Sequence, residues 1–346
     1  MTQLTETVGM DIEETSLQTD KVLTERRALT VRPLKRSFVC GAPMAGVTDK
    51  PFRMICRKFG NETLFTEMIG VNSLYRRAVS TCRMMRIADE QNIVVQLVGI
   101  DETALVYAAK EAVFNGAIGV DINMGCPVKK LITNGSGASL MKNADIAVRL
   151  VSAVKRAVDI PVTVKTRLGW DEKQKNVVSF AKQLVDAGVD GITIHARTKE
   201  QGYSGQADWQ NLQAVKQVVN IPVFVNGDIT DKHSLKMALD ISQADGAMIG
   251  RGMLGRPWVL HQLADVSTQP NITGKVLADL ICEHLAMMLS YYGKAGLFAM
   301  RKHLAWYAKG YIGHAEFCRQ MFCMNDEKKV YHLVEDFFDN SEKQGE

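Results

Sequence analysis

The sequence predicts an α/β protein: a (β/α)8 TIM barrel followed by an all-α helical C-terminal domain. Three observations point there. Eight short β-rich runs alternate with helical stretches between residues 39 and 252. Polar side chains collect at the C-terminal ends of those runs, the face on which barrels carry their chemistry. After Leu260 the strand pattern stops, and residues 274–340 read as helices. An open, doubly wound sheet shares this alternation, so periodicity alone leaves closure undecided.

Residues 1–30 hold six acidic and three basic side chains and no aromatic, so residues 1–35 read as a polar extension without a core of its own. The runs then follow as VCGAPM (39–44), ETLFTEM (62–68), IVVQLVG (93–99), AIGVDINM (117–124), VTVKTRLG (162–169), GITIHAR (191–197), PVFVNGD (222–228) and GAMIGRG (246–252). Between two of them, residues 102–115 place Leu105, Ala109, Ala112 and Val113 on one helical face, and Gly116 supplies the stop. Residues 208–219 do the same with Trp209, Leu212, Val215 and Val219. The barrel is expected over 36–267. A helical unit follows over 268–346, with helices near 276–292 and 297–309 joined by Gly293, Gly310 and Gly313.

Composition excludes several classes. With 346 residues, 46% of them hydrophobic, the chain is neither disordered nor collagen-like nor a small disulfide scaffold. Lys+Arg 42 against Asp+Glu 38 is too even to mark a nucleic-acid binder by itself. The seven cysteines are scattered without a C-x-x-C pair, which argues against a disulfide framework or a zinc site, and no metal is expected. There is no apolar signal region and no run near ~18 apolar residues, so the expectation is a cytoplasmic, reduced protein without a membrane span, and a monomer.

Strand alternation separates two faces. Val162 and Val164 oppose Thr163, Lys165 and Arg167; Ile192 and Ile194 oppose Thr193, His195 and Arg197. Val223 and Val225 oppose Phe224, Asn226 and Asp228; Ile118, Val120 and Ile122 oppose Asp121 and Asn123. The apolar sets suit the helix-facing layer, and the polar sets then point into the barrel. Buried polar groups are costly without partners, so a ring of them suggests a ligand. The last two runs end in Asn226-Gly227-Asp228 and Gly250-Arg251-Gly252, a pattern suited to holding phosphate through backbone N–H groups and one cation. GRGMLG (250–255) matches a dinucleotide fingerprint, but no βαβ unit follows it.

Cys126 lies just past a strand end in NMGCPVKK, between Gly125 and Pro127 and close to Lys129 and Lys130. A thiol of pKa ~8.5 donates a proton at neutral pH, whereas nearby cations favour the thiolate, so both an acid and a nucleophile are open. Residues 291–322 hold five basic side chains, including Lys294, Arg301 and Lys302, against the single acid Glu316, together with eight aromatics. Basic residues interleaved with Tyr291, Trp306, Tyr307 and Tyr311 suit RNA phosphate contact and base stacking. Arg76, Arg77, Arg83 and Arg86 form a second basic cluster.

Six motifs, APMAGVTDKPFR (42–53), DINMGCPVKK (121–130), VKTRLGW (164–170), IHART (194–198), VNGDI (225–229) and MIGRGMLGRPW (248–258), stand in the order and spacing of the tRNA-dihydrouridine synthases. RKHLAWY (301–307) is similar to the family's helical C-terminal segment. The pattern most resembles the bacterial B-type enzymes over roughly residues 35–340.

The resemblance implies an FMN-containing barrel and a tRNA-binding helical domain, reducing the uridine C5–C6 double bond with NADPH as electron donor. By matching motif it implies that Ala42, Pro43 and Met44 line the flavin, that Gln96 and Lys165 contact its ring, and that His195 lies beside it. Asn226, Gly227, Asp228, Gly250 and Arg251 are then expected at its ribityl and phosphate end, and Cys126 as the proton donor. The chain departs from the family at Ala196, where Gly is usual, and in its N-terminal extension. Three rivals stand beside this: a flavin barrel acting on a free pyrimidine, like the dihydroorotate dehydrogenases; an aldolase using Lys165 as a Schiff base; and a non-catalytic RNA-binding protein.

Overall fold

The computed structural model describes residues 38–264 and 272–340. The polar extension at 1–35 and the expected boundary at 267/268 lie outside the described residues. Nine strands form: β1 (Phe38–Gly41), β2 (Leu64–Phe65), β3 (Ile69–Gly70), β4 (Ile93–Val98), β5 (Gly119–Asn123), β6 (Val162–Arg167), β7 (Gly191–His195), β8 (Val223–Asn226) and β9 (Gly246–Ile249). Each of the eight runs contains one, and β3 follows just beyond the second run.

All pairings are parallel, in the order β1-β9-β8-β7-β6-β5-β4-β2, with β3 also against β4. One bridge, Cys40 opposite Thr63, with the Gly41 N–H donating to the Thr63 carbonyl at 2.9 Å, returns the chain of strands to β1. The sheet therefore closes as a barrel, and the open-sheet alternative falls.

The alternation sorts residues as expected. Val162, Val164, Ile192, Ile194, Val223 and Val225 are fully buried in the layer under the helices. Ile118 differs: it precedes β5 and packs with Phe38, Phe65, Val94 and Phe224, an apolar cluster set apart from the helix-facing layer. The helix Glu102–Phe114 is opened by Asp101, whose carboxylate accepts the Ala104 N–H at 2.9 Å. It is closed beyond Gly116 (φ +86°) by the Ala117 N–H on the Ala112 carbonyl. Leu105, Ala109 and Ala112 are buried, but Val113 is 40% exposed. It sits at the stripe's edge, about 80° around the axis from Leu105.

Four helices, Gly274–Tyr292, Ala295–Tyr307, His314–Cys323 and Glu327–Asn340, build a separate core around Ile281, Met288, Leu304, Phe317 and Phe338. Ile55 and Trp258, from the helices behind the barrel strands, join it. Two further ties hold the units together. The Tyr292 hydroxyl donates to Asp49 at 3.0 Å, and the Arg83 guanidinium lies 4.7 Å from the ring centroids of both Tyr291 and Tyr292. Asp49 caps the helix Lys50–Arg57 by accepting the Phe52 N–H. The helical unit is thus anchored beside the loop that follows β1.

Candidate active site

Strand register brings the predicted polar residues to one mouth. Gln96 is opposite Asp121, Asn123 opposite Lys165, and His195 opposite both Arg167 and Asn226. Their side chains join in a chain. Thr163 donates to Asp121 at 2.7 Å, Gln96 donates to the other Asp121 oxygen at 2.6 Å, and Asn123 donates to the Gln96 carbonyl at 2.9 Å. The Asn123 carbonyl oxygen accepts the Cys126 N–H at 2.9 Å and the Gly125 N–H at 3.2 Å. The polar layer of the barrel therefore positions the Cys126 loop directly. Ala138 N–H on the Cys126 carbonyl, 3.0 Å, holds it from the other side.

Lys165 donates to Asn226 at 2.9 Å, and Asn226 donates to the Met248 carbonyl at 2.8 Å. Asp228, at φ +55°, holds two cations: Arg197 at 2.5 Å on one oxygen and Arg251 at 2.9 Å on the other. Gly227 (φ +121°) is needed for close packing, because a Cβ there would meet the His195 Cδ2 and the Ala207 Cβ at 3.0 Å. Arg251 begins a short turn, Arg251–Met253, and is half-exposed. Tyr203 stands at the rim of the mouth, its ring centroid 5.2 Å from the Arg251 guanidinium, 5.7 Å from that of Arg167 and 5.9 Å from the His195 ring.

The loop Ala42–Met44 follows β1. The Ala42 N–H donates to the Ile249 carbonyl at 2.7 Å, and the Met44 N–H to the Thr48 hydroxyl at 2.9 Å. A Cβ on Gly250 would meet the Ala42 Cβ at 3.7 Å and the Met44 Sδ at 3.9 Å, so this loop lies beside the β9 end at ordinary van der Waals distance.

Electrostatics give each group a state. Burial, then the Arg167 guanidinium, lowers the Lys165 ammonium to about 8, so it is still largely cationic at neutral pH. Burial raises Asp121 to about 6 against the hydrogen bonds from Thr163 and Gln96. Burial and four surrounding cations hold His195 neutral. Burial pushes the Cys126 thiol up, opposed by the Val128 N–H, Arg167 and Lys165. Lys129 and Lys130 are exposed and do not act on it. Burial therefore favours the protonated thiol at Cys126 over the thiolate.

The helical residues separate. Lys302 reaches the mouth, its ammonium 3.1 Å from where a Gly46 Cβ would lie. Arg301 turns away, donating to the Met324 carbonyl at 2.9 Å and to Asn325 at 3.0 Å. Lys294 is exposed between two helices. Tyr307 and Tyr311 are buried in the helical core and do not present faces for stacking. Asn123, Arg167, Arg197 and Tyr203 complete the mouth without having been named as site residues. Asn123 and the two arginines were visible in the strand alternation, whereas Tyr203 carried no such signal.

A family model described as "Dihydrouridine synthase (Dus)" matches residues 40–342. The chain belongs to the dihydrouridine synthase family. Among relatives, a "Probable tRNA-dihydrouridine synthase" of Rhodobacter capsulatus is 44% identical over 275 residues, covering 78% of this chain and 85% of the relative. "tRNA-dihydrouridine synthase B" of Vibrio vulnificus is 38% identical over 305 residues, covering 86% and 95%. The B-type resemblance read from the motifs therefore stands. Of solved structures, histamine dehydrogenase from Rhizobium sp. 4-9 shares the fold at TM-score 0.50 and 15% identity, over 72% of this chain and 49% of that one. Among the described residues of this dihydrouridine synthase family member, no helix is long and apolar enough to cross a membrane.

Proposed function

We propose that the protein reduces the C5–C6 double bond of uridine in tRNA to 5,6-dihydrouridine, with FMN as redox cofactor and NADPH as reductant. The observation that carries this is the hydrogen-bonded layer Asp121–Gln96–Asn123, which fixes the Cys126 loop at the end of the strand paired with that of Lys165. Family membership supplies the reaction class. The residues present suit FMN: the half-exposed Arg251 for its phosphate, and Lys165 with neutral His195 for its ring edge. Ala42, Pro43, Met44, Gln96, Asn226, Gly227, Asp228 and Gly250 would complete the site. When bound, FMN supplies the hydride that C6 of uracil receives.

The chain's own residues do the rest. Cys126 gives its thiol proton to C5, and Asn123 fixes the loop from which it does so. Lys165 places positive charge where the reduced ring system carries negative charge. Asp228 orients Arg251 with one oxygen and keeps Arg197 with the other. Lys302 extends a cation from the helical unit over the first loop, toward an RNA phosphate. The target base must be unstacked before it can be reduced, because a base stacked in folded RNA is not accessible to the chemistry.

Cys126→Ala tests this. The variant should bind FMN and accept electrons from NADPH normally, while dihydrouridine formation falls by ~10²–10⁴-fold. Near-normal product would remove Cys126 from the chemistry, and purified protein unable to bind FMN would remove the flavin.

A further inference from the structure

A cleft of about 530 Å³ opens on the rim of the barrel's C-terminal face, between the turn Gly137–Lys142 and the loop after β6. Met141, Lys142, Trp170, Lys173, Lys175 and Asn176 line it. It is built rather than loose. Asn176 donates to the Met141 carbonyl at 2.7 Å, which pins the loop to the turn. The Lys199 N–H donates to the Gly169 carbonyl at 2.9 Å, and the Glu200 N–H to the Trp170 carbonyl at 3.0 Å, extending the β6–β7 contact outward.

Its charges are unusual. The Lys142 ammonium lies 3.7 Å from the Trp170 ring centroid and that of Lys199 lies 4.3 Å from it. Two like charges are thus held within about 8 Å of one another against one aromatic ring. Lys175 is neutralised by Glu172 at 2.7 Å and Asp208 at 3.4 Å. Asp171 spends its carboxylate on the N–H groups of Lys173 and Gln174. Among the described residues, Lys142, Lys173 and Lys199 form no ion pair with a carboxylate. The cleft thus carries cations to which no described residue supplies a counter-charge.

Its place matters as much. Ala138, in the same turn as Lys142, holds the Cys126 carbonyl, and Trp170 is three residues beyond Arg167. A nucleotide whose base reaches Cys126 therefore has its backbone beside this rim, on the side of the mouth away from the helical unit.

We infer that Lys142 and Lys199, preset on the Trp170 ring, form a phosphate site for the RNA backbone next to the base in the mouth. The inference rests on the RNA substrate proposed above. It gives the RNA two grips on opposite sides of the reacting base: Lys302 from the helical unit, Lys142 and Lys199 from the barrel. Phosphate grips of this kind set register and carry little base preference.

The test uses the full-length flavin-loaded protein and an unmodified tRNA transcript. Affinity is measured at several salt concentrations for wild type, Lys142→Gln/Lys199→Gln and Lys236→Ala. Lys236 is an exposed helical lysine paired with Asp240, and serves as the reference. Loss of one phosphate contact should lower the log–log salt slope by about one unit in the double variant. The KM for tRNA should rise with little change in kcat, and Lys236→Ala should match wild type. A wild-type slope and KM in a double variant that melts like wild type would overturn the rim site. If wild type makes dihydrouridine and the double variant is unaffected, the rim site falls alone. If wild type does not bind tRNA, the substrate proposal falls with it.

Discussion

The barrel mouth and the helical core both bury titratable side chains, and they do so in opposite ways. In the barrel, Gln96, Asp121, Asn123 and Thr163 satisfy one another through side-chain hydrogen bonds. In the helical unit, His284 and His303 are fully buried among Phe52, Trp306 and Tyr307 rings. The His284 Nδ1 meets the Tyr307 hydroxyl at 3.1 Å, but its Nε2 and both nitrogens of His303 have no hydrogen-bond partner among the described residues. Burial holds both imidazoles neutral, His284 at about 3. A connected polar layer fixes geometry for chemistry. An imidazole packed as an aromatic ring fixes only shape.

Three perturbations sharpen the contrast, the strongest in the barrel. Asp121→Ala leaves Gln96 and Thr163 without their acceptor and frees the Asn123–Cys126 arm. Denaturant unfolding should show a loss of about 2–4 kcal/mol, with dihydrouridine formation falling alongside. Retained stability would mean that the layer is not cooperative.

The second is an alkaline limb. The Lys165 ammonium is present below about pH 8 and lost above it, so transfer to RNA should decline as pH rises past 8, approaching tenfold per unit. Lys165→Met should abolish that limb, and a limb that survives it belongs to another group.

The smallest effect lies in the helical core. The unfolded chain protonates histidine near pH ~6.5, whereas folded His284 and His303 stay neutral well below that. The unfolded state then binds more protons, so stability present above that pH is lost as pH falls, by up to about 1.4 kcal/mol per unit per histidine. His195 adds to this trend; Asp49 and Asp121, raised to about 6, oppose it at lower pH. His303→Phe should shift stability at pH 7 by less than about 1 kcal/mol while making the acid limb shallower. An unchanged acid slope would show that His303 is not held neutral.

The barrel was legible because its signals are local. Period-two alternation assigned Lys165, His195 and Asn226 to the inner face, and the register confirms which of them meet. Closure was not legible, since it depends on one bridge between Cys40 and Thr63, residues on different strands. The segment RKHLAWY shows the same limit in a helix. Spacing says that Arg301, Lys302 and His303 point about 100° apart, not what each one meets. Arg301 meets residues 324–325, Lys302 the barrel's first loop, and His303 the core. Arg83 likewise reads as one of four similar arginines, and only the fold seats it on Tyr291 and Tyr292.

The single bridge at that seam has a mechanical consequence. Between β6 and β7 five residue pairs share the load, whereas β1 and β2 are stitched at one. Backbone ties are fewer here than between β6 and β7. The loop Ala42–Met44 hangs from this seam, and Asp49, just beyond it, is held by Tyr292. The helical unit therefore ties down the chain just beyond the barrel's thinnest joint.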